Sequence, residues 1–454
     1  MINNDKMTKD FIGDLSAKIQ AQNARGVKEL IGDLHPADIA EIFGELSTDE
    51  QSYVIDLLDN EISADILLEL EEEDRRKILR TFSAKEIADE VITEMDTDDA
   101  ADIISELSDR QKVEVISQIE DQEHAKEIVE LLKFDDDTAG GLMGKEFIKV
   151  NKDWSILTAV KQMRRQAEEM EQVFSIYVVD DEDKLLGILS LKKLLTTSSN
   201  TKIEDVYNDK IQYVNTFTKD VEVANIITKY DLYEIPVVDE LKRLVGVITV
   251  DDVIDVIREE AEENYQLAAG ITQNVDTDDS IWRLTRARIP WLLIGMFGGI
   301  GAAGIMNGLN DELAQYTILL TFVPLIQSTA GNVGIQSSAI VVQSLANGSL
   351  KNSSVVKLLS KEFLLGLLNG LIIAVVVLSI SHFVFGTTYK ISITICLALI
   401  TVIINAAIIG TFIPMLLHKR GMDPAVSTGP FITTSNDILG VFIYFMIAKV
   451  ILGF

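Results

Sequence analysis

The chain has 454 residues and a formal net charge of −31, from 40 Lys and Arg against 71 Asp and Glu. Residues 281–454 hold 10 Lys and Arg and 5 Asp and Glu, which leaves 30 and 66 in residues 1–280, a net of −36 there. Such an acidic surface repels nucleic acid and anionic lipid and attracts cations, and a single cysteine, Cys396, excludes an intramolecular disulfide. An acidic part joined to an apolar part reads as a soluble region attached to a membrane domain. The opening residues, MINNDKMTKDFIGDL, have no apolar core of signal-peptide length, so the first span is expected to act as the insertion signal.

Residues 10–134 carry apolar residues at i, i+3 and i+4 spacing. Similar stretches open at Ala37-Asp38-Ile39, Ala64-Asp65-Ile66 and Ala101-Asp102-Ile103. The pattern predicts short amphipathic helices stacked as a superhelix. A loop, Asp135-Asp136-Asp137-Thr138-Ala139-Gly140-Gly141, follows. Its acids lack the alternation and the closing Glu of an EF-hand.

Residues 145–258 contain a repeat. Ser175-Ile-Tyr-Val-Val-Asp180 followed by Gly187-Ile-Leu-Ser recurs 59 residues later as Glu234-Ile-Pro-Val-Val-Asp239 followed by Gly246-Val-Ile-Thr. Each unit reads as a strand, a turn, a second strand and a helix. The ending resembles that of a tandem pair of cystathionine-β-synthase (CBS) domains. Such pairs often sense an adenosine nucleotide, and others serve as scaffolds without a ligand; both readings stay open here. Next come Asp251, Asp252, Asp255, Glu259, Glu260, Glu262 and Glu263 on a continuing helix, with Arg258 as internal counter-charge. Like charges at i,i+4 cost a few tenths of a kcal/mol each in an isolated helix. Bridging cations would offset that repulsion; a merely solvated acidic helix is the plainer alternative.

Five apolar stretches, about 289–310, 314–343, 362–385, 391–417 and 425–452, are each long enough to cross a membrane. Lys and Arg before span 1 (Arg283, Arg286, Arg288), between spans 2 and 3 (Lys351, Lys357, Lys361) and between spans 4 and 5 (Lys419, Arg420) place the N-terminus inside. Asp311 and Glu312 fall on the other side. Spans 2, 4 and 5 are rich in Gly, Pro and polar residues, which at membrane depth must be buried in protein or line a wet cavity. Asp437 lies a third to halfway along span 5, and an ionisable group there marks a functional site. Ser337, Ser338 and the Gly295/Gly299 pair are expected to serve helix packing.

Together these pieces resemble the MgtE family of bacterial Mg²⁺ channels. The specific matches are Ala330-Gly331-Asn332-Val333-Gly334-Ile335-Gln336 and Asp423-Pro424-Ala425 with Asp437 fourteen residues on. The resemblance implies a multidomain membrane protein: an α-helical superhelical N domain (1–134), an α/β tandem CBS pair (135–200 and 201–258), a connecting plug helix (259–280) and a five-helix transmembrane domain (281–454). It implies a homodimer in the bacterial inner membrane, with a cytoplasmic N-terminus and no enzymatic activity. Asp437 would bind the permeating ion, with Asn332 and Asp423 nearby. Asp98, Asp102, Asp231, Asp252, Asp255, Glu260 and Glu263 would bind regulatory Mg²⁺ that closes the pore. Asn264 and the Lys219/Asp220/Glu222 segment depart from the family pattern. The chemistry agrees, because Mg²⁺ keeps several waters and takes one or two carboxylates; Mn²⁺, Co²⁺ and Ni²⁺ would also suit an all-oxygen site. A proton-coupled divalent-cation exchanger and a nucleotide-sensing membrane protein are the alternatives. An intramembrane aspartyl protease would need two facing acids, and Asp423 precedes a proline at the start of its span.

Overall fold

A computed structural model describes residues 9–170, 172–272, 275, 279–309, 314–346, 354–427 and 429–453. Asp311, Glu312 and Lys351, which bear on orientation, lie outside the described residues. The chain divides into two compact units, Met1–Ile257 and Arg258–Phe454.

The N-terminal unit opens with short helices: α1 (Lys9–Gln20), α2 (Ala24–Ile31), α3 (Pro36–Phe43), α4 (Thr48–Leu57), α5 (Asn60–Leu68), α6 (Glu72–Leu79), α7 (Ala84–Glu86), α8 (Thr97–Glu106), α9 (Asp109–Ile116) and α10 (Gln122–Leu131). Their starts are specified locally. The Asn23 side chain accepts the Gly26 N–H, and His35 caps α3 ahead of Pro36. Ser83 and Glu86 form a reciprocal capping box on α7. One face of each helix fills a continuous core that includes Ile39, Phe43, Val54, Ile66, Ile78 and Ile103. Arg75 pairs with Glu106 and donates to the carbonyls of Leu67, Leu68 and Leu70, closing the open end of α5.

After α11 (Ala139–Leu142) come two three-stranded sheets of the same topology. The first is β1 (Ile148–Asn151), β2 (Ile176–Val179) and β3 (Leu185–Leu189), the second β4 (Val214–Asn215), β5 (Glu234–Val238) and β6 (Leu244–Thr249). In each sheet the first pair is parallel and the second antiparallel. The helices α12 (Ile156–Gln166) and α13 (Leu191–Thr196) belong to the first repeat, and α14 (Asp220–Tyr230) and α15 (Val250–Ala269) to the second. The 59-residue offset is visible in detail. Asp183 and Lys242 take equivalent left-handed turn positions. Across the pair, the Leu185 N–H reaches the Lys242 carbonyl and the Leu244 N–H the Asp183 carbonyl, both at 2.9 Å. At the end of the repeat the copies diverge: α13 has 6 residues, whereas α15 has 20. The connecting helix therefore begins inside the second repeat and ends at Ala269, well short of residue 280.

Among its described residues the second unit contains five helices long and apolar enough to cross a membrane. They are α16 (Ile281–Gly308), α17 (Ile318–Thr321) continued by α18 (Val323–Ala346), α19 (Val355–Phe383), α20 (Tyr389–Lys419) and α21 (Pro430–Leu452). α20 is the most enclosed, and α19 buries a stripe of Glu362, Gly366, Gly370, Ala374, Val377 and Ser381. Small residues set the close approaches, as expected where lipid offers no hydrophobic drive. The missing side chains of Gly366 and Gly370 let α19 lie on the backbone of Ile404 and Ile400. On α16 the packing glycines are Gly298, against Thr434, and Gly301, against Ile438. Among the described residues of this chain Gly295 and Gly299 meet nothing within 4 Å, so the packing between its own helices falls to Gly298 and Gly301. Span 1 is also longer than expected, because its helix starts at Ile281 and includes Arg283, Arg286 and Arg288.

Candidate functional site

Two groups of carboxylates stand out, one in each unit. In the membrane unit, Gly429 and Pro430 start α21, and Asp437 follows about two turns in. Among the described residues Asp437 has no ion-pair or hydrogen-bond partner, and it is half-buried. Asn332 is exposed on α18. Asp423 lies outside α21, exposed before the short 3₁₀ turn Pro424–Ser427, and accepts the Ala425 N–H at 2.7 Å. Its carboxylate is thus used in a local turn of the chain.

A second membrane carboxylate escaped the sequence reading. The sequence predicts that span 3 begins at Glu362, but α19 starts at Val355 and carries it inside. It is 6 % exposed, and Ser337 on α18 donates to its Oε2 at 3.0 Å. Ser337 therefore has a specific acceptor, beyond the packing role expected of it. Ser338 is fully buried with an unpartnered hydroxyl. The signal in the sequence was the lysine spacing: the apolar run begins before Lys357 and Lys361, not after them.

The end of α15 meets the start of α21 within this unit. Gly270 and Gly429 both have positive φ, +83° and +58°. A side chain on Gly429 would meet the Ala268 carbonyl oxygen at 2.5 Å, and one on Gly270 would meet Pro430 Cγ at 2.6 Å. Left-handed backbone and this close approach both call for glycine. Gln266 and Thr272 tie the same corner to the backbone of Val275 and Ala287.

In the N-terminal unit, α8 opens with Asp98 and Asp99 in its first turn and presents Asp102 one turn on. The link after α10 folds over them. Gly144 bonds to Val247 on β6 in both directions, at 2.8 and 3.0 Å. A Cβ on Gly144 would lie 3.0 Å from Glu146 Oε2 and 3.1 Å from Asp98 Oδ2, so these two carboxylates flank it. Glu146 also accepts from the Thr97 N–H and hydroxyl, and Asp252 at the start of α15 accepts from the Thr249 N–H and hydroxyl.

This crowding shows in the proton affinities. Burial, then Asp252 and Asp99, push Asp98 well above the usual carboxylate range. Burial, then Asp252 and Asp102, push Asp99 to about 7. Asp102 also rises to about 7, through burial and Asp136, with Arg75 opposing. Its side chain keeps contact with solvent, so Asp98, Asp99 and Asp252 carry more weight. Asp252 rises to about 6 through burial, against the Thr249 hydrogen bonds. Asp99 and Glu146 were missed from the sequence. Asp99 adjoins a named acid, but nothing local marks Glu146, which only the fold of the link brings in.

The structure gathers Asp98, Asp102 and Asp252, with Asp255 one turn further along α15. Asp231 is exposed at a left-handed C-cap (φ +51°) of α14, and Asp255 and Glu263 are exposed on α15. Glu260 is half-buried. Lys219 is engaged with Asp137 of the link. Among the described residues no three His, Cys, Asp or Glu side chains stand ready to chelate a metal. The donor set is all oxygen, which suits a hard, hydrated divalent cation.

An acidic regulatory-type unit with tandem α/β repeats, joined to five spanning helices with an isolated intramembrane carboxylate, defines a membrane transporter of divalent cations. Comparison with known proteins agrees. Residues 323–447 match the family described as "Divalent cation transporter", residues 34–137 the MgtE intracellular N domain, and residues 139–200 and 203–259 the CBS domain. The magnesium transporter MgtE of Enterococcus faecalis is 35 % identical over 72 % of this chain and 72 % of its own length. That of Thermus thermophilus is 30 % identical over 98 % of this chain and 99 % of its own, and that of Bacillus subtilis 31 % over 93 % of both. A crystal structure of the cytosolic domain of the Mg²⁺ channel MgtE in complex with ATP covers 54 % of this chain and 99 % of that one, at 32 % identity and a TM-score of 0.50. The chain belongs to the MgtE family of divalent-cation transporters.

Proposed function

We propose that this protein conducts Mg²⁺ across the bacterial inner membrane as a homodimer and is closed by Mg²⁺ on the cytosolic side. Asp437 from each subunit meets the hydrated ion, with Asn332 holding its water shell and Asp423 near the cytosolic mouth. One carboxylate per chain makes a weak cation site, and two around a hydrated ion fit Mg²⁺ chemistry. Exposed apolar side chains on the CBS pair, Leu157, Leu191, Leu195, Ile254 and Ile257, support a second copy as the partner. The proposed domain limits are N domain 1–134, CBS units 135–200 and 201–258, a plug segment 259–280 whose helix is the end of α15, and membrane domain 281–454.

The gating reading is carried by one observation: the half-buried, mutually repelling carboxylates Asp98, Asp99 and Asp252 beside the flanking Glu146, with Asp102 more exposed one turn along α8. Cytosolic Mg²⁺ would offset this repulsion. Asp231, Asp255, Glu260 and Glu263 add further acids to the same response. The contact of Ala268 and Gly270 with Gly429 and Pro430 offers a route from α15 to the helix bearing Asp437. The CBS pair is proposed to take an adenosine nucleotide. Phe174 and Tyr233, which are 59 residues apart, stand parallel with ring centroids 6.3 Å apart and are open to solvent, as a base-stacking site requires.

Single-channel recording in bilayers tests the gating. Wild-type protein is expected to close at millimolar cytosolic Mg²⁺, and the Asp98→Asn/Asp252→Asn variant to stay open. Equal closure of both would overturn the assignment.

A further inference from the structure

Asp437 lies on a helix that is seated on three others, and the residue just before it makes the most specific of those contacts. Thr433 packs on Gly331 of α18 and Thr434 on Gly298 of α16, while Gly440 fits between Val402 of α20 and Ala330 of α18. Asn436 is different in kind. It is polar, 1 % exposed, and donates from Nδ2 to the Ala330 carbonyl at 3.3 Å. Its Oδ1 is buried without a partner. A position needed for packing alone would favour an apolar side chain, because an unmatched buried acceptor costs free energy.

The seat itself is built from absent side chains. A Cβ on Gly334 would collide with Asn436 Nδ2 and come within 2.6 Å of Ile432. A Cβ on Gly410 of α20 would collide with the Gly334 carbonyl. The stack Gly410–Gly334–Asn436 therefore fixes α18, α20 and α21 against one another, one residue from the ion-binding acid. Metal and ligand sites tolerate displacement of only roughly 0.5 Å. Rotation or sliding of α21 at Asn436 moves Asp437 with it.

We infer that Asn436, through its seat on Gly334 and the Ala330 carbonyl, is a positioning residue that sets where Asp437 presents its carboxylate to the ion. This rests on the reading of Asp437 as the ion site. It also assigns a reason for glycine at both Gly334 and Gly410.

The test uses full-length protein in liposomes with Mg²⁺ outside. Half-saturating Mg²⁺, maximal flux, Mg²⁺ over Ca²⁺ preference and thermal midpoint are measured for Asn436→Ser, Gly334→Ala and the double variant. Asn436→Ser is expected to raise half-saturation about tenfold, the scale seen when a supporting residue of a metal site is lost, and to weaken the Mg²⁺ preference, with little change in thermal midpoint. Gly334→Ala drives a methyl into the amide and is expected to do more. Adding Asn436→Ser to it removes the clash with the amide and leaves that with Ile432, so half-saturation should fall back part of the way towards the Asn436→Ser value. If Gly334→Ala does not reach the membrane, Asn436→Ser decides alone. Unchanged half-saturation and preference in Asn436→Ser, whether or not its thermal midpoint falls, overturns the positioning role. The ion-site reading is checked separately with Asp437→Asn: wild-type half-saturation there overturns that reading, whereas loss of flux there with wild-type behaviour in the Asn436 series overturns positioning only.

Discussion

The two units handle partly buried carboxylates in opposite ways. The N-terminal unit crowds them: Asp98, Asp99 and Asp252 burden one another and are drawn towards protonation near neutral pH. The membrane unit isolates them, with Asp437 unpaired on α21 among the described residues and Glu362 bonded to Ser337 between α18 and α19. Crowded acids form a cluster whose stability depends on an outside cation, because each neighbour raises the cost of ionising the next. An isolated acid cannot hold a divalent ion tightly. It suits a site that an ion must leave as readily as it enters.

The largest expected effect breaks the isolated site. Asp437→Ala should lower Mg²⁺ uptake about a hundredfold or more, the upper scale for loss of a metal-site group, while membrane abundance stays unchanged. Uptake assays with quantitation of protein in the membrane fraction check it, and full uptake would remove Asp437 from the pathway.

Breaking the crowded site should change regulation and leave conduction intact. Asp98→Asn with Asp252→Asn should raise the Mg²⁺ needed for half-closure about tenfold, within the usual range of coupling between sites, about 1–3 kcal/mol. Flux at low cytosolic Mg²⁺ should match wild type. Reduced flux there would mean that the cluster supports the fold and does not act as a sensor.

A third prediction concerns pH. Folded-state values near 7 for Asp99 and near 6 for Asp252 lie above the unfolded value of about 3.9. A carboxyl raised in this way favours the folded state at low pH. That contribution is lost as pH rises from about 4 through about 7. Without Mg²⁺ the full-length protein should therefore have a higher N-terminal melting transition at pH 5.5 than at pH 8. Added Mg²⁺ should stabilise it more at pH 8, where the carboxylates are charged. Calorimetry at both pH values decides this, and an equal Mg²⁺ effect would place the bound ions elsewhere.

Much of this contrast was legible in the sequence. The 59-residue repeat predicted the antiparallel strand pair of each sheet, because a local strand–turn–strand pattern with no gap leaves little to tertiary choice, but not the parallel strands β1 and β4, which pair only through the fold. Asp437 stood out because charge is rare within an apolar run. Glu362 did not, because lysines one and five residues before it put the start of the span in the wrong place. Glu146 and Asp99 were hidden for another reason. Glu146 joins the cluster through the fold-back of the link at Gly144, a long-range contact that no local spacing encodes, and Asp99 is brought in beside Asp98 by the first turn of α8. The face of span 1 that packs within the chain was not legible, because Gly295/Gly299 and Gly298/Gly301 are both plausible small-residue pairs. Only the positions of Thr434 and Ile438 choose between them.

The smallest effect sharpens the comparison inside the membrane unit, where Asp437 and Glu362 share an element type and differ in surroundings. Glu362 is nearly inaccessible and accepts a hydroxyl from a neighbouring helix, as a residue that joins helices does. Side-chain hydrogen bonds between spanning helices average about 0.6 kcal/mol, because the unfolded chain in the membrane finds other partners. Ser337→Ala should therefore lower stability by about that amount. Glu362→Gln keeps an acceptor oxygen for Ser337 and removes the charge, so it should do less. Neither change should alter half-saturating Mg²⁺, since the ion would have no reason to leave its water for a carboxyl enclosed by α18 and α19. Flux titrations and unfolding in mild detergent measure the two quantities side by side. A rise in half-saturating Mg²⁺ for Glu362→Gln, with stability unchanged, would make Glu362 a second ion contact, and isolation would no longer distinguish the acid that meets the ion from the acid that joins helices.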